Sequence, residues 1–293
     1  MPSIVAGKSV LVTGATAGIG QLTARALIRA GASVILHGRD AARLADSADA
    51  LAREGTVLDC FVADLASLAG TAALAARVAR QEPALDVLVN NAGVGFGADR
   101  RLRETSLDGH ELRFAVNYLA PFLLTEQLLA RGLPRRAVIN VASIGQEALD
   151  FADLESAVDY EGTRAYRRSK LALIMWSFDL AARHPERVVH ALHPGTLLDT
   201  QMVRVAGVAP RGPASRGAEV ILRVVERALQ SAESGLYFDE LTPAQAKPQA
   251  YDLNARRELR AATLERLHPF ATEPAALASC EDEEARGPSP LAR

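Results

Sequence analysis

The sequence predicts an α/β fold, a single domain in which a doubly wound parallel sheet of about seven strands has helices on both faces. Short β-rich segments alternate with longer alanine- and leucine-rich segments of helical period, which is typical of βαβ units. No internal repeat and no glycine- or proline-rich linker divides the 293 residues. The predicted domain covers residues 1–270.

The strand predictions depend on short segments rich in valine, isoleucine and leucine, as expected for a parallel sheet covered on both faces. They cover residues 9–13, 33–36, 57–62, 86–90, 137–141, 187–193 and 236–238. The predicted helices cover residues 20–29, 41–53, 68–80, 110–129, 163–183 and 214–229, with an arginine-rich helix over 253–267. Residues 271–293 combine acids, prolines and small residues, which predicts a disordered tail.

The charge balance and the cysteines exclude several classes of protein. With 33 basic and 35 acidic side chains, the net charge of −2 does not favour nucleic acid, and a small-molecule partner is expected. Cys60 and Cys280 match neither a disulfide framework nor a zinc site, so no metal is expected. The first residues lack an export signal, and the longest clean apolar segment, 171–176, is too short to span a membrane. We therefore expect a cytoplasmic protein.

A glycine-rich segment, residues 13–20, begins where the first predicted strand ends and continues into the first helix. Glycines there allow a tight turn and a close approach to a pyrophosphate, whose charge is stabilised by the helix N-terminus. A plain strand-to-helix turn also uses glycines, but the position in the first βαβ unit favours a dinucleotide site. The predicted cofactor contacts in this loop are Gly14, Thr16, Gly18, Ile19 and Gly20.

The end of the second strand indicates which dinucleotide is bound. An NAD site normally has an acid here for the ribose 2′-hydroxyl, whereas this chain continues with Gly38, Arg39 and Asp40. A guanidinium pairs with a 2′-phosphate, so Arg39 favours NADP over NAD. Two alternatives are open: Arg39 lies on a solvated loop, or Asp40 binds the ribose as in an NAD site.

Two further strand ends contribute predicted cofactor contacts. Asp64 and Leu65 follow the third strand, where the carboxylate accepts from the adenine amino group or, equally, caps the helix beginning near Ser67. Small residues after the fourth strand allow the chain to pass close to the adenine ribose, although turn chemistry also explains them. These residues are Asn91, Ala92 and Gly93.

Tyr166 and Lys170 are four residues apart in a predicted helix and therefore share one face. The chain has only three lysines and five tyrosines, so a lysine four residues after a tyrosine is not expected by chance. A nearby ammonium, helped by the positive nicotinamide of the oxidised cofactor, favours the phenolate and lowers the pKa of the phenol, which suits Tyr166 to general acid/base catalysis. Lys170 is also expected to bind the nicotinamide ribose. The alternative is a solvated helical pair.

Two more side chains complete the predicted catalytic set. Ser143 follows the fifth strand, where its hydroxyl can stabilise negative charge on a substrate carbonyl oxygen. Asn117 lies in an apolar helix and is expected to relay protons through water to Lys170. An asparagine bonded to its own backbone is the alternative for Asn117.

Together these motifs resemble the short-chain dehydrogenase/reductase family, over about residues 7 to 265. The resemblance rests on residues 13–20, 90–93, Asn117, Ser143, Tyr166 with Lys170, and Pro194 with Gly195. It implies a Rossmann-type sheet of order 3-2-1-4-5-6-7 and hydride transfer between a nicotinamide cofactor and an alcohol or carbonyl. It also implies cofactor contacts from Tyr166, Lys170, Pro194, Gly195 and Thr196.

Residues 34–36, 39–40, 151–154, 165–172 and 193–195 resemble the retinol-dehydrogenase-like branch, which usually uses NADP. Two features depart from the family. Ser143 and Tyr166 are 23 residues apart, which is wider than the usual spacing. The threonine expected after Pro194-Gly195 is found one position later than usual, at Thr200, unless Thr196 makes the contact with the cofactor carboxamide.

The sequence therefore predicts an NADP-dependent oxidoreductase that interconverts a carbonyl and an alcohol on a small lipophilic substrate. Apolar residues of the segment 144–165 are expected to face that substrate, namely Leu149, Phe151, Leu154 and Val158, and residues 196–215 are expected to form a mobile lid. Trp176 and Phe178 either pack against a second subunit, which would make a homo-oligomer, or face their own sheet. The alternatives are a cofactor-sensing protein without turnover and a sugar epimerase or dehydratase.

Overall fold

A computed structural model describes residues 3–270 and contains one sheet of eight strands in the order β3-β2-β1-β4-β5-β6-β7-β8. The strands are β1 Ser9–Val12, β2 Ser33–Gly38, β3 Val57–Val62, β4 Val87–Asn90, β5 Ala137–Val141, β6 Val188–His193, β7 Leu236–Asp239 and β8 Thr242–Ala244. The first seven pair in parallel, which confirms the predicted fold. The eighth strand pairs antiparallel with β7 and was not predicted, because three residues centred on Pro243 have no strand pattern.

The helices are α1 Gly18–Arg29, α2 Ala41–Ala52, α3 Leu68–Gln81, α4 Leu112–Phe114, α5 Ala120–Leu129, α6 Gly162–Arg183, α7 Gln201–Val205, α8 Ala214–Gln230 and α9 Leu253–Leu267. The helix predicted over 110–129 begins at Leu112 and contains a π-helical turn, Ala115–Leu119, between α4 and α5. Short 3₁₀ turns cover Phe151–Asp153, Pro248–Tyr251 and His268–Phe270. The predicted lid contains the short helix α7.

Each face of the sheet is buried under a separate layer of helices. Val10 and Val12 of β1 belong to the core formed with α1, α2 and α8, whereas Leu11 belongs to the core formed with α3 and α5. This alternation follows from the two-residue period of a strand. Because the strands are parallel, their carboxyl ends meet at one edge, and the loops that follow β1, β2, β4, β5 and β6 gather there.

The carboxyl-terminal helix α9 and its preceding turn cover the outer side of α6. Trp176 is 2% exposed and packs against Phe122, with ring centroids 5.4 Å apart. Phe178 is 7% exposed and packs against Tyr251 at 5.3 Å. These side chains are therefore buried within their own subunit, and the aromatic partners lie on α5 and on the turn before α9, whereas the alternative named their own sheet. The prediction of a disordered tail over 271–293 falls outside the described residues.

Among residues 3–270, none of the helices combines the length and the apolar character that crossing a bilayer requires. The same residues contain no group of three or more His, Cys, Asp and Glu side chains suited to holding a metal ion.

Candidate active site

The glycine loop is fixed between the ends of β1 and β4. The Thr13 hydroxyl accepts hydrogen bonds from the backbone N–H groups of Asn91 and Ala92, both at 3.0 Å. The Asn91 side chain donates to the Thr13 carbonyl at 2.8 Å. A Cβ at Gly20 would lie 2.2 Å from the Gly14 carbonyl oxygen, so only glycine lets α1 approach the loop this closely.

The N-terminus of α1 is open for an anion. Its N-cap residue, Ala17, makes no side-chain hydrogen bond, and no acid stands in the first turn. The first N–H groups of the helix and the positive end of its dipole are therefore available to a negatively charged group. Ile19 packs on the adjacent core, which anchors the loop without occupying that end. The loop thus fits the pyrophosphate of a dinucleotide.

The end of β2 leaves no room for an acidic side chain. A Cβ at Gly38 would lie 2.4 Å from the Thr16 methyl group, so any larger residue there would collide with the glycine loop. Arg39 follows and is exposed. The Asp40 carboxylate accepts from the Arg43 N–H at 3.0 Å and caps α2. Gly38 therefore has no acidic side chain, and the Asp40 carboxylate is engaged at the N-terminus of α2.

Asp64 lies exposed at the end of β3, next to the buried Leu65. Its carboxylate accepts from the Ala66 N–H at 2.9 Å. The N-cap of α3 is Ser67, whose hydroxyl accepts from the Gly70 N–H at 3.0 Å. The alternative that Asp64 caps this helix is therefore wrong.

Ser143, Tyr166 and Lys170 converge at the carboxyl end of β5, although the first two are far apart in sequence. The intervening segment folds outward and returns where the Glu161 side chain caps α6. The Ser143 side chain lies close enough to the Tyr166 side chain to favour its phenolate. The Lys170 ammonium lies 5.9 Å from the centroid of the Tyr166 ring and donates to the Val141 carbonyl at 2.8 Å. The wide spacing does not prevent the predicted arrangement.

Burial controls the protonation of this pair. It raises the pKa of the Tyr166 phenol, and the nearby Ser143 side chain opposes this only in part. It also lowers the pKa of Lys170 to about 8. In the structure burial disfavours the phenolate, and the Lys170 ammonium is bonded to the Val141 carbonyl. The phenol is therefore protonated at neutral pH. The expected lowering of the Tyr166 pKa by Lys170 together with the oxidised cofactor stays a prediction.

Asn117 lies in the π-helical turn and holds the loop that follows β4. Its side-chain oxygen accepts from the Val94 N–H at 2.8 Å, and its amide donates to the Val94 carbonyl and the Ser169 hydroxyl, both at 3.0 Å. These partners belong to other segments, so the alternative that Asn117 bonds its own helix is wrong. A Cβ at Gly93 would lie 3.1 Å from the Asn117 oxygen and 3.5 Å from the Lys170 nitrogen, which shows how closely this loop approaches the site.

The loop after β6 approaches the site from the opposite side. Pro194 and Gly195 are buried, whereas Thr196 is exposed and its hydroxyl contacts the His193 ring at 3.0 Å. Thr200 caps α7, and its methyl group would lie 3.5 Å from a Cβ at Gly18. The structure therefore places Thr200 beside the glycine loop, and the Thr196 hydroxyl beside His193.

Two residues of the site were not predicted. The Phe96 ring meets the Tyr166 ring edge to face, with centroids 4.9 Å apart. Arg113, only 1% exposed, donates to the Gly95 carbonyl at 2.9 Å and pairs with Glu111 at 3.3 Å. Arg113 therefore holds the loop that positions Phe96. The signal in the sequence for Arg113 was that Glu111 and Arg113 alternate with the apolar Leu112 and Phe114 at the start of a predicted helix.

The apolar residues expected to face the substrate lie elsewhere. Leu149 and Leu154 are buried in the core beside α6, and Phe151 packs against that core. Val158 is 67% exposed to solvent. The apolar groups near Tyr166 are instead Phe96 and Met202 of α7, whose side chain lies against Gly95.

Comparison with known proteins agrees with this geometry. The family described as short chain dehydrogenase matches residues 8–209. Retinol dehydrogenase 14 of Mus musculus is 34% identical over 288 residues, which cover 88% of this chain and 85% of that protein. An uncharacterised protein of Mycobacterium paratuberculosis has a TM-score of 0.75 and 28% identity, with 92% of this chain and 96% of that chain covered. Pseudomonas aeruginosa RhlG, solved as an active-site complex with NADP, has a TM-score of 0.64 and 29% identity, covering 82% of this chain and 96% of its own.

The chain belongs to the short-chain dehydrogenase family and is an NAD(P)-dependent oxidoreductase. Within that family it belongs to the retinol-dehydrogenase-like branch. Both predictions made from the motifs are confirmed.

Proposed function

We propose that the protein is an NADP-dependent reductase of lipophilic ketones or aldehydes, with the reverse oxidation of the alcohol, and that Tyr166 is its general acid/base. The observation that supports this most directly is the convergence of Ser143, Tyr166 and Lys170 at the carboxyl end of β5, at the same sheet edge as the uncapped N-terminus of α1. A protein that only senses the cofactor needs no such set. A sugar epimerase or dehydratase is the remaining alternative.

NADP supplies a hydride to the substrate carbonyl carbon when it is bound in its reduced form. The residues proposed to hold its pyrophosphate are those of the glycine loop, Gly14, Thr16, Gly18, Ile19 and Gly20. Arg39 is assigned to the 2′-phosphate, Asp64 and Leu65 to the adenine, and Asn91, Ala92 and Gly93 to the adenine ribose. Tyr166, Lys170, Pro194, Gly195 and Thr196 are assigned to the nicotinamide half. Thr200, which lies beside Gly18 of the glycine loop, is the competing residue for the contact assigned to Thr196.

The proposed proton transfer uses the protonated phenol. Ser143 and Tyr166 both donate to the substrate carbonyl oxygen, and their hydrogen bonds strengthen as negative charge grows there. Tyr166 then transfers its proton to that oxygen. Lys170, whose pKa of about 8 keeps it mainly charged at pH 7, stabilises the resulting phenolate. Asn117 keeps the Val94 loop in place, and its part in a water relay to Lys170 is retained as a proposal.

A lipophilic substrate is supported by the residues around the phenol. Phe96 stands edge to face with Tyr166, and Met202 lies against the neighbouring Gly95. Ile144, which directly follows Ser143, is 51% exposed. These side chains offer an apolar surface next to the proton donor, as a hydrophobic carbonyl compound requires.

A panel of carbonyl compounds tests the proposed function. We expect NADPH to be consumed with hydrophobic aldehydes and ketones, and much more slowly with small charged keto acids, because Phe96, Met202 and Ile144 offer no partner for a charge. Tight NADPH binding without turnover of any carbonyl would favour the sensing alternative. Conversion of a nucleotide sugar without net NADPH consumption would favour the epimerase.

Removing the Arg39 guanidinium tests the cofactor assignment. Arg39→Ala is expected to lower kcat/KM for NADPH by about 10- to 100-fold, the effect of losing hydrogen bonds to a charged phosphate. The kcat/KM for NADH should change by less than about twofold, because that cofactor has no 2′-phosphate. Arg53→Ala, an exposed arginine at the opposite end of α2, is the matched control. Equal losses with both cofactors would contradict the assignment.

A further inference from the structure

His37 is buried at the end of β2, and the structure satisfies both of its ring nitrogens. Its Nδ1 accepts from the Gly14 N–H at 3.3 Å, and its Nε2 lies 3.1 Å from the Ala63 carbonyl oxygen. Because a backbone N–H only donates and a carbonyl only accepts, the ring has its proton on Nε2. The side chain is 2% exposed, so no water competes for these bonds.

The same residue also binds the next N–H of the loop. The His37 carbonyl oxygen accepts from the Ala15 N–H at 2.8 Å. Two consecutive donors, on Gly14 and Ala15, are therefore held by one residue, and Gly14 has a positive φ of 68° at this point. These two bonds restrict the orientation of the first residues of the loop that leads into α1.

His37 further connects the two halves of the proposed dinucleotide site. Gly14 belongs to the loop assigned to the pyrophosphate, whereas Ala63 immediately precedes Asp64, assigned to the adenine. Burial lowers the pKa of His37 to about 4, so the ring stays neutral and its Nδ1 remains an acceptor near neutral pH.

We infer that His37 is a positioning residue for the dinucleotide: its Nδ1 holds the Gly14 N–H and so keeps the glycine loop preformed for the pyrophosphate. His37 itself does not touch the reacting atoms. This inference rests on the proposed function, since it requires that the glycine loop binds NADP. A preformed loop loses less conformational freedom on binding. Removing the hydrogen bond from Gly14 to His37 should therefore weaken cofactor affinity and leave the chemical step unchanged.

Replacing His37 with asparagine or with glutamine tests its two side-chain hydrogen bonds separately. In His37→Asn the side-chain oxygen reaches the position of Nδ1 and can accept from Gly14, whereas in His37→Gln the longer side chain places its amide near Nε2 and Ala63. We expect His37→Asn to bind NADPH within about twofold of the wild type, and His37→Gln to bind about tenfold more weakly, the effect of one lost hydrogen bond. Affinity is measured directly by titrating the protein with NADPH and following fluorescence. KM for NADPH should rise in His37→Gln while kcat at saturating cofactor stays within about twofold.

His190→Gln is the matched control. His190 is also buried, and its Nδ1 also accepts a backbone N–H, that of Leu236 at 3.4 Å on the β6–β7 pair. This variant should lower the melting temperature of the cofactor-free protein and leave NADPH affinity unchanged. The melting temperatures of both His37 variants show whether they fold.

The inference is overturned if both His37 variants bind NADPH as the wild type does, or if His37→Asn loses as much affinity as His37→Gln. Failure of the wild type to bind either NADPH or NADH would instead overturn the proposed function. The two failures are therefore distinguished by the wild-type titration alone.

Discussion

Replacing Tyr166 with phenylalanine is expected to lower kcat by about 100- to 10,000-fold, the range that a positioned general acid contributes. The phenol is the proposed proton donor, and burial holds it in the protonated form that reduction requires. Phenylalanine retains the ring that contacts Phe96, so the shape of the site is preserved. The Kd for NADPH should therefore change by less than about twofold. Steady-state kinetics and a direct NADPH titration measure the two quantities separately.

A second tyrosine provides the control for this experiment. The hydroxyl of Tyr118 is buried and bonded to Thr263 at 2.7 Å, on the side of the fold covered by α9. Tyr118→Phe should lower the free energy of unfolding by about 1 kcal/mol, since one buried hydrogen bond is lost. It should leave kcat unchanged. If Tyr166→Phe retains the wild-type kcat, Tyr166 is not the proton donor.

Replacing Arg113 with methionine is expected to lower the free energy of unfolding by about 3–5 kcal/mol, the cost of leaving one partner of a buried ion pair alone. Arg113 and Glu111 are each 1% exposed, and Arg113 also pairs with Glu104 at 2.6 Å. Burial already raises the pKa of the Glu111 carboxyl, and the Arg113 charge opposes that rise. Without Arg113 the carboxylate stays buried with no opposite charge beside it. Denaturant unfolding of the cofactor-free protein measures the change.

Two variants make this prediction specific. Arg113→Met combined with Glu111→Gln removes both charges and should recover part of the lost stability, because the amide oxygen can still accept from the Phe114 N–H. Arg223→Met breaks an exposed pair with Glu219 and should cost less than about 1 kcal/mol. A cost for Arg113→Met no greater than that for Arg223→Met would contradict the prediction. The loss of Arg113 should also reduce kcat, since it releases the loop that positions Phe96.

Most of the fold was predictable because its signals are local. A parallel sheet covered on both faces requires continuous apolar segments, and all seven of these were recognised. The elements that escaped prediction depend on distant partners. Strand β8 forms by pairing with the edge strand β7. The π-helical turn contains Asn117, whose side-chain amide group binds the backbone of Val94.

The candidate site divides in the same way. The glycine loop and the pair Tyr166 and Lys170 were found from spacing, since a turn or a helix brings such residues together by its own geometry. Phe96 and Arg113 were missed because their contacts join segments that are separate in sequence. Leu149 and Leu154 were assigned to the substrate, yet they fill the core, because an apolar residue does not reveal which surface will bury it.

The sequence by itself determined the parallel sheet of alternating strands and helices, the glycine loop at the end of the first strand and the two side chains that share a helix face. Only the tertiary structure decided how those side chains are protonated. The Tyr166 phenol and the Lys170 ammonium respond to desolvation by everything packed around them, and this exceeds the effect that one has on the other. Spacing along a helix is a property of a few neighbouring residues, whereas burial is a property of the whole fold.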